Sequence, residues 1–438
     1  MHVAIIGNGI SGITAARHIR KLSNHDITVI SSESDFFFSR TALMYIYMGH
    51  MKFEHTKPYE DWFWKKNNIR LLKKHVKKVD VKDKHLIFSD GGMLDYDVLI
   101  IASGSKTAKY GWKGQDLIGV QGLYSLQDLE NIEKFSQNLQ RAVIVGGGLI
   151  GIEMAEMFHS RHIPVTFLVR EKHYGGNVLP KEEAQIITRE IVEHGIDLRL
   201  ETELSEILGD ANGKVRGVIT SKGEEISCQF VGITTGVTPN IDFLKDSGIN
   251  INKGVLVNEF FETNIPNVYA IGDCAEFLQA PEGRKKIEQV WYTGKAHGET
   301  LAKTICGKKT MYKPSVWFNS AKFFNIEYQT YGYVPAKETT EHESILWQKG
   351  KKLIRLVFEK ESKKFLGVNV LGIRYRHEVL DSWIKNQKSI NYVLQHLSEA
   401  NFDPEFFKKH ESELIEIYNQ QNPLQKITTQ KKKRLFFW

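Results

Sequence analysis

At 438 residues the chain exceeds one ordinary domain, so two or three compact units are expected. With 41% hydrophobic and 25% charged residues it reads as soluble and globular, which excludes disordered, collagenous and disulfide-scaffold classes. The net charge of +7 is concentrated at one end: Lys426, Lys431, Lys432, Lys433 and Arg434 have no acid beyond Glu416 to offset them, and the near-neutral body gives no nucleic-acid footprint. No apolar run reaches the roughly 18 residues of a spanning helix and no cleavable leader pattern opens the chain, so a cytoplasmic protein is expected. Three scattered cysteines, Cys228, Cys274 and Cys306, fit neither a disulfide framework nor a metal site, so no metal is assigned.

The first predicted strand is the apolar run from His2 to Ile6. It passes into GNGISG, Gly7 to Gly12, and then a helix opening TAARHIRKL. Gly7 permits a tight turn, Gly9 admits a pyrophosphate to the backbone, and Gly12 lets the helix lie close on its strand, with Ile10 and Ser11 opening that helix toward the phosphates. A second strand begins at Asp26, and Glu33 lies about 20 residues past Gly12, where a ribose-binding acid is expected. The unit then recurs: AVIVGGGLIGIEMAE carries Gly146, Gly148 and Gly151 at the same spacing, with Leu149 and Ile150 in the places of Ile10 and Ser11. Its next strand, VTFLVRE from Val165, aligns without gaps on ITVISSE from Ile27 and pairs Glu171 with Glu33. One glycine motif is a weak signal, whereas two in the same strand-turn-helix setting point to two bound dinucleotides.

On these repeated motifs the chain resembles the FAD-dependent pyridine nucleotide oxidoreductases. YDVLIIASGS, Tyr96 to Ser105, is similar to the crossover that leaves the FAD domain, and it adds Ala102, Ser103 and Gly104 as FAD contacts. TTGVTPN from Thr234, with Gly236, resembles the return strand from the NAD domain. NVYAIGDCAE from Asn267 resembles the second FAD motif, where Gly272 and Asp273 would meet the ribityl chain. WYTGKAHGETLA from Trp291 resembles the helix ending against the flavin, with Gly294 and His297 replacing the usual Ala and Gln. The resemblance implies an α/β fold with two Rossmann-like three-layer dinucleotide-binding domains and a C-terminal α+β interface domain. Residues 1–112 and 241–318 would form a split FAD domain, 113–240 the NAD(P) domain, 319–423 the interface domain of a homodimer, and 424–438 a basic-aromatic tail.

Members of the family differ in where electrons leave. This chain lacks the CxxxxC, CxxC and single redox cysteines of the thiol-using branches, and Cys274 reads as a small buried residue. The segment with Phe38, Ser39, Arg40 and Leu43 instead resembles the ferredoxin and rubredoxin reductases and the nitrite reductase flavin domain. In that setting Arg40 would contact the FAD pyrophosphate, with a surface ion pair as the other reading. Met44 and Tyr45 stand where that branch has a lysine, which weakens the assignment of the acceptor. Glu153, in the first turn after Gly151, would orient the nicotinamide or simply complement the helix N-terminus. Arg170 would favour NADPH and Glu171 NADH, leaving the choice open with the balance toward NADH.

The resemblance implies hydride transfer from NAD(P)H to flavin N5 and onward transfer to a separate acceptor, favoured as an acidic iron-sulfur protein of the ferredoxin or rubredoxin kind. A membrane-peripheral NADH:quinone reductase or NADH oxidase, held at the inner face through QKKKRLFFW, is one alternative. A redox-sensing flavin-bearing interaction protein is another. In the last domain, four β-like runs from Asn319, helices near His377 to Asn386 and Ile390 to Leu397, and an amphipathic helix from Glu405 are predicted. His377 and Glu378 read as helix-surface residues.

Overall fold

The computed structural model describes residues 1–337, 339–403 and 409–428. The predicted helix start at Glu405 and the tail residues Lys431 to Trp438 lie outside them. The chain divides into two compact units, Met1–Phe167 with Glu203–Pro314, and Leu168–Thr202 with the segment from Ser315 onward.

The first unit is built on a five-stranded parallel sheet in the order Val268–Ala270, Val98–Ile101, His2–Ile6, Asp26–Ser31, Ile69–Lys73. Its inner strands are continuous apolar runs, because a parallel sheet covered on both faces leaves no solvent side for an alternating pattern. Val3, Ala4, Ile5, Leu99, Ile100 and Ile101 are all fully buried. Val268–Ala270 joins the sheet beside Val98–Ile101, with Val268 opposite Leu99, so distant parts of the sequence complete one layer. A second parallel set pairs Ala142–Val145 with Phe230–Ile233, and Phe230–Ile233 with Val120–Gln121. The outgoing strand Ser105–Thr107 and the returning strand Val237–Pro239 form an antiparallel ribbon.

Helix Ile10–Leu22 follows the first glycine motif and packs on helix Trp291–Ile305. Their approach depends on Gly298, where an added Cβ would stand 2.6 Å from the Ser11 carbonyl oxygen and 2.9 Å from the Ala15 nitrogen. Gly294 faces the Ser11 hydroxyl at a similar 2.6 Å. The glycine that departs from the family pattern at position 294 therefore serves close packing.

In the second unit a five-stranded antiparallel sheet runs Phe318–Phe323, Ile326–Gly332, Phe365–Leu371, Lys352–Glu359, His342–Lys349. The first predicted run is thus two strands, turning at Phe324, whose φ is 50°. Helices His377–Lys385, Ile390–His396 and Glu411–Gln421 bury Leu380, Trp383, Val393, Leu414 and Tyr418 in the core of this unit. His377 and Glu378 are exposed at the start of their helix. Helix Lys181–Glu193 brings the fully buried Glu183 to Arg355, 2.8 Å away, with Glu182 at 2.6 Å from the same guanidinium. A buried carboxylate needs such a partner, since desolvation alone would favour its neutral form. No helix among the described residues is long and apolar enough to cross a membrane.

Gly298→Ala should destabilise the protein by about 1–3 kcal/mol, because backbone rather than a flexible side chain stands in the way. Chemical denaturation monitored by circular dichroism reads this as a lower midpoint. An unchanged midpoint would show that the two helices separate freely.

Candidate active site

The two glycine motifs adopt one geometry. Gly7 and Gly146 both have φ of 113°, a conformation that residues with a Cβ rarely adopt. A Cβ on Gly12 would collide with the Gly7 carbonyl, and one on Gly151 with the Gly146 carbonyl. At Gly9 a Cβ would meet nothing within 4 Å, and at Gly148 only the Thr234 carbonyl oxygen at 3.8 Å. Each middle glycine is the N-cap of its helix and offers no side-chain cap, so first-turn N–H groups are left for a ligand.

A cleft of about 1440 Å³ opens over the first motif. It exceeds the roughly 300–1,000 Å³ of an ordinary small-molecule site, as a dinucleotide requires. Gly7, Gly9, Ile10, Ser11, Glu33, Arg40, Ala102, Ser103, Gly104, Asp273 and Trp291 line it together with Leu149, Ile150 and Glu153 from the second motif. Gly272 is buried beside it, and its Cβ position is filled by the Ser11 hydroxyl.

Asp273 presents one carboxylate oxygen, Oδ2, to the Ser105 hydroxyl at 3.2 Å and the Tyr124 hydroxyl at 3.3 Å. Burial raises its pKa above the ordinary carboxylate value, and those two donors and the Arg40 charge act against that rise. Among the described residues both hydroxyl donors meet Oδ2, which leaves Oδ1 for a ligand hydroxyl. Gln289 donates to the Ser105 hydroxyl at 2.8 Å. Arg40 forms a two-pronged ion pair with Glu33, at 2.7 and 2.6 Å, and donates to the Tyr124 carbonyl. Burial opposes the guanidinium charge, yet the Glu33 carboxylate outweighs it and holds the pKa above its usual value. The Leu126 amide also donates to Glu33 Oε1 at 2.8 Å, so Oε2 keeps room for one ribose hydroxyl. Open middle glycine, uncapped helix end and half-engaged carboxylates together fit an FAD-sized ligand. Tyr124 and Gln289 are the residues that sequence reasoning missed.

On the pyridine nucleotide side, Glu153 is partly buried, and desolvation, reinforced by Glu156, pushes its pKa up to about 7. Gly236, with φ of 128°, accepts from the Ala108 amide at 3.1 Å at the end of the crossover ribbon. In the other unit Arg170 and Glu171, the two residues with opposed cofactor preferences, pair with each other at 3.0 Å, and Asn177 donates to Glu171 at 2.6 Å.

Trp291 opens the helix Trp291–Ile305 and is 37% exposed, with its ring edge-on to Tyr292. His297, two turns on, is buried among Phe261, Phe277 and Tyr312. Its Nδ1 accepts the Gly272 amide at 3.1 Å, which places the ring proton on Nε2. Cys274 is fully buried, with its thiol on the Ile101 and Ile271 carbonyls.

Burial depresses the His297 pKa from 6.5 to about 3. A group kept neutral by the fold adds stability above its unfolded value, and that stability is lost as pH falls from about 6.5 toward 3 at about 1.4 kcal/mol per unit. Unfolding followed at pH 7, 6 and 5 should show this decline, and His297→Gln should flatten it. An identical slope in the variant would place the acid sensitivity elsewhere.

Residues 1–298 match the family model described as pyridine nucleotide-disulphide oxidoreductase. The assimilatory nitrate reductase electron transfer subunit of Bacillus subtilis is 26% identical over 415 residues, covering 93% of this chain but 52% of that protein, so the chain spans about half of its length. An NADH oxidase of Methanocaldococcus jannaschii is 30% identical over 327 residues, 72% of each. The crystal structure of NADH:rubredoxin oxidoreductase from Clostridium acetobutylicum superimposes with a TM-score of 0.69 at 26% identity, over 89% of this chain and 96% of that one. Matched glycine motifs, the cleft between them and these similarities agree: the chain belongs to the pyridine nucleotide-disulphide oxidoreductase family, whose members use FAD and NAD(P)H.

Proposed function

We propose that the protein is an FAD-dependent NAD(P)H oxidoreductase that passes electrons to a separate acceptor, a ferredoxin- or rubredoxin-like iron-sulfur protein. The observation that carries this reading is the composition of the cleft. It gathers side chains from both glycine motifs, and none of its lining residues is a cysteine. Cys228 and Cys274 are buried and Cys306 is a free thiol outside the lining, so no thiol pair takes electrons from this site. The names of the relatives, an electron transfer subunit and a rubredoxin oxidoreductase, support onward transfer.

When bound, FAD supplies the two-electron chemistry between a hydride donor and the acceptor. The protein groups bind and orient. First-turn amides after Gly9 hold one pyrophosphate, and those after Gly148 hold that of the pyridine nucleotide. Glu33 Oε2 takes a ribose hydroxyl, Arg40 adds positive charge at the phosphate side, and Asp273 Oδ1 takes a ribityl hydroxyl. The N-terminus at Trp291 favours negative charge beside it. Glu153 orients the nicotinamide. Glu171, held by Arg170 and Asn177, accepts a free 2′-hydroxyl and so favours NADH. On this reading residues 1–112 and 241–318 hold FAD, 113–240 hold NAD(P)H, and 319–423 form a homodimer interface.

Purified protein should be yellow, and under argon it should bleach on addition of NADH. Re-oxidation by added ferredoxin or rubredoxin supports the acceptor proposed; re-oxidation by quinone or oxygen alone supports the NADH oxidase reading instead. Bleaching without re-oxidation by any of these acceptors points to a redox-sensing role. A colourless protein that takes up no FAD overturns the proposal.

Glu153 changes charge near pH 7, so the stopped-flow rate of bleaching by NADH should bend there. Glu153→Gln should remove the bend and slow the step by about 10- to 100-fold through poorer alignment. Glu171→Ala should narrow the preference for NADH over NADPH, measured as the ratio of kcat/KM values. A ratio that does not move would assign selectivity to another residue.

A further inference from the structure

Tyr124 stands between Leu123 and the helix Leu126–Ser136, outside every flavin motif. Its backbone carbonyl accepts from Arg40, and the Arg40 guanidinium lies over its ring at 4.5 Å. Its hydroxyl oxygen accepts the Ser105 amide at 2.9 Å and donates to Asp273 Oδ2 at 3.3 Å. One residue thus touches both the Arg40 guanidinium and the Asp273 carboxylate.

The surrounding backbone is shaped to admit it. Gly104 has φ of 70°, and a Cβ there would stand 2.8 Å from the Tyr124 hydroxyl oxygen. Any residue larger than glycine at 104 would displace the phenol from Asp273. Nearby, the Gln289 amide donates to the Ser105 hydroxyl, which turns the proton of that hydroxyl toward Oδ2. Two hydroxyl donors therefore saturate Oδ2 and leave Oδ1 as the acceptor that faces the ligand.

We infer that Tyr124 is a positioning residue for the flavin: it fixes the Asp273 carboxylate with Oδ1 aimed at the ribityl chain, and it strengthens FAD binding through that aspartate. The inference rests on the FAD reading of the cleft. A neutral phenol suits the task because it donates without placing a second cation beside Arg40, and because its ring face receives the guanidinium.

The test is titration of FAD into apoprotein of the wild type, Tyr124→Phe, Asp273→Asn and the double variant, read by flavin fluorescence and the visible absorption band. Tyr124→Phe keeps the ring under Arg40 and removes only the hydroxyl. It should raise the FAD Kd about tenfold, the scale of one hydrogen bond to a charged group. In the Asp273→Asn background the same change should raise Kd less than about twofold, because the effect is routed through the carboxylate. The apoprotein melting temperature of Tyr124→Phe should fall somewhat, because the Ser105 amide loses its acceptor, so the role is read from the dependence of the Kd change on Asp273, which a merely structural tyrosine would not show. Equal Kd for wild type and Tyr124→Phe overturns the inference, as does an equal loss in both backgrounds. Wild-type apoprotein that takes up no FAD overturns the flavin reading itself, an outcome distinct from these two.

Discussion

Around Ser11 no room exists for even one extra methyl group. The first-motif helix, the turn at Gly272 and the helix from Trp291 meet there through glycines, and an added carbon at 272, 294 or 298 would strike Ser11 or its backbone. At Gly298 the obstacle is backbone, the Ser11 carbonyl and the Ala15 nitrogen, which cannot turn aside as a side chain can, so the two helices hold one spacing there. That arrangement sets where the uncapped helix end, Asp273 and Trp291 face the cleft, and the flavin site depends on it.

Charge is managed differently at three carboxylates of the cleft, Glu33, Asp273 and Glu153. At Glu33 a two-pronged ion pair with Arg40 and a backbone amide engage the carboxylate in a partly buried place. At Asp273 neutral hydroxyl donors take that part, and the carboxyl sits higher in pKa. Glu153 goes further: burial and its like-charged neighbour Glu156 push its pKa up to about 7, and no cation pairs with it among the described residues.

The glycine motifs were legible in sequence because each glycine answers a local backbone demand: the turn at Gly7, the contact of Gly12 with the Gly7 carbonyl, and the same pair at Gly146 and Gly151. The parallel sheet was legible too, since strands buried on both faces are written as unbroken apolar runs. Tyr124 and Gln289 were not, for their role exists only once segments more than a hundred residues apart converge on Ser105 and Asp273. Arg40 shows the intermediate case. Its place in the cleft agrees with the pattern around Leu43, but its partner Glu33 could not be read there, because the pairing exists only once the two loops are folded together. The turn that splits the run has no sequence signal at its centre, because the residue with positive φ is Phe324, an aromatic that reads as strand.

Ser105–Thr107 and Val237–Pro239 lie side by side, with Thr107 opposite Val237. Neighbouring strands sit about 5 Å apart, a gap that two or three amino acids can bridge. The stretch running between those strands departs and comes home through a single doorway, so its length places no strain on the parent sheet. A splice joining the doorposts would remove Tyr124, whose hydroxyl meets Asp273, and Glu183, the carboxylate that pairs with Arg355, so the enclosed segment is tied to its surroundings by more than its two ends.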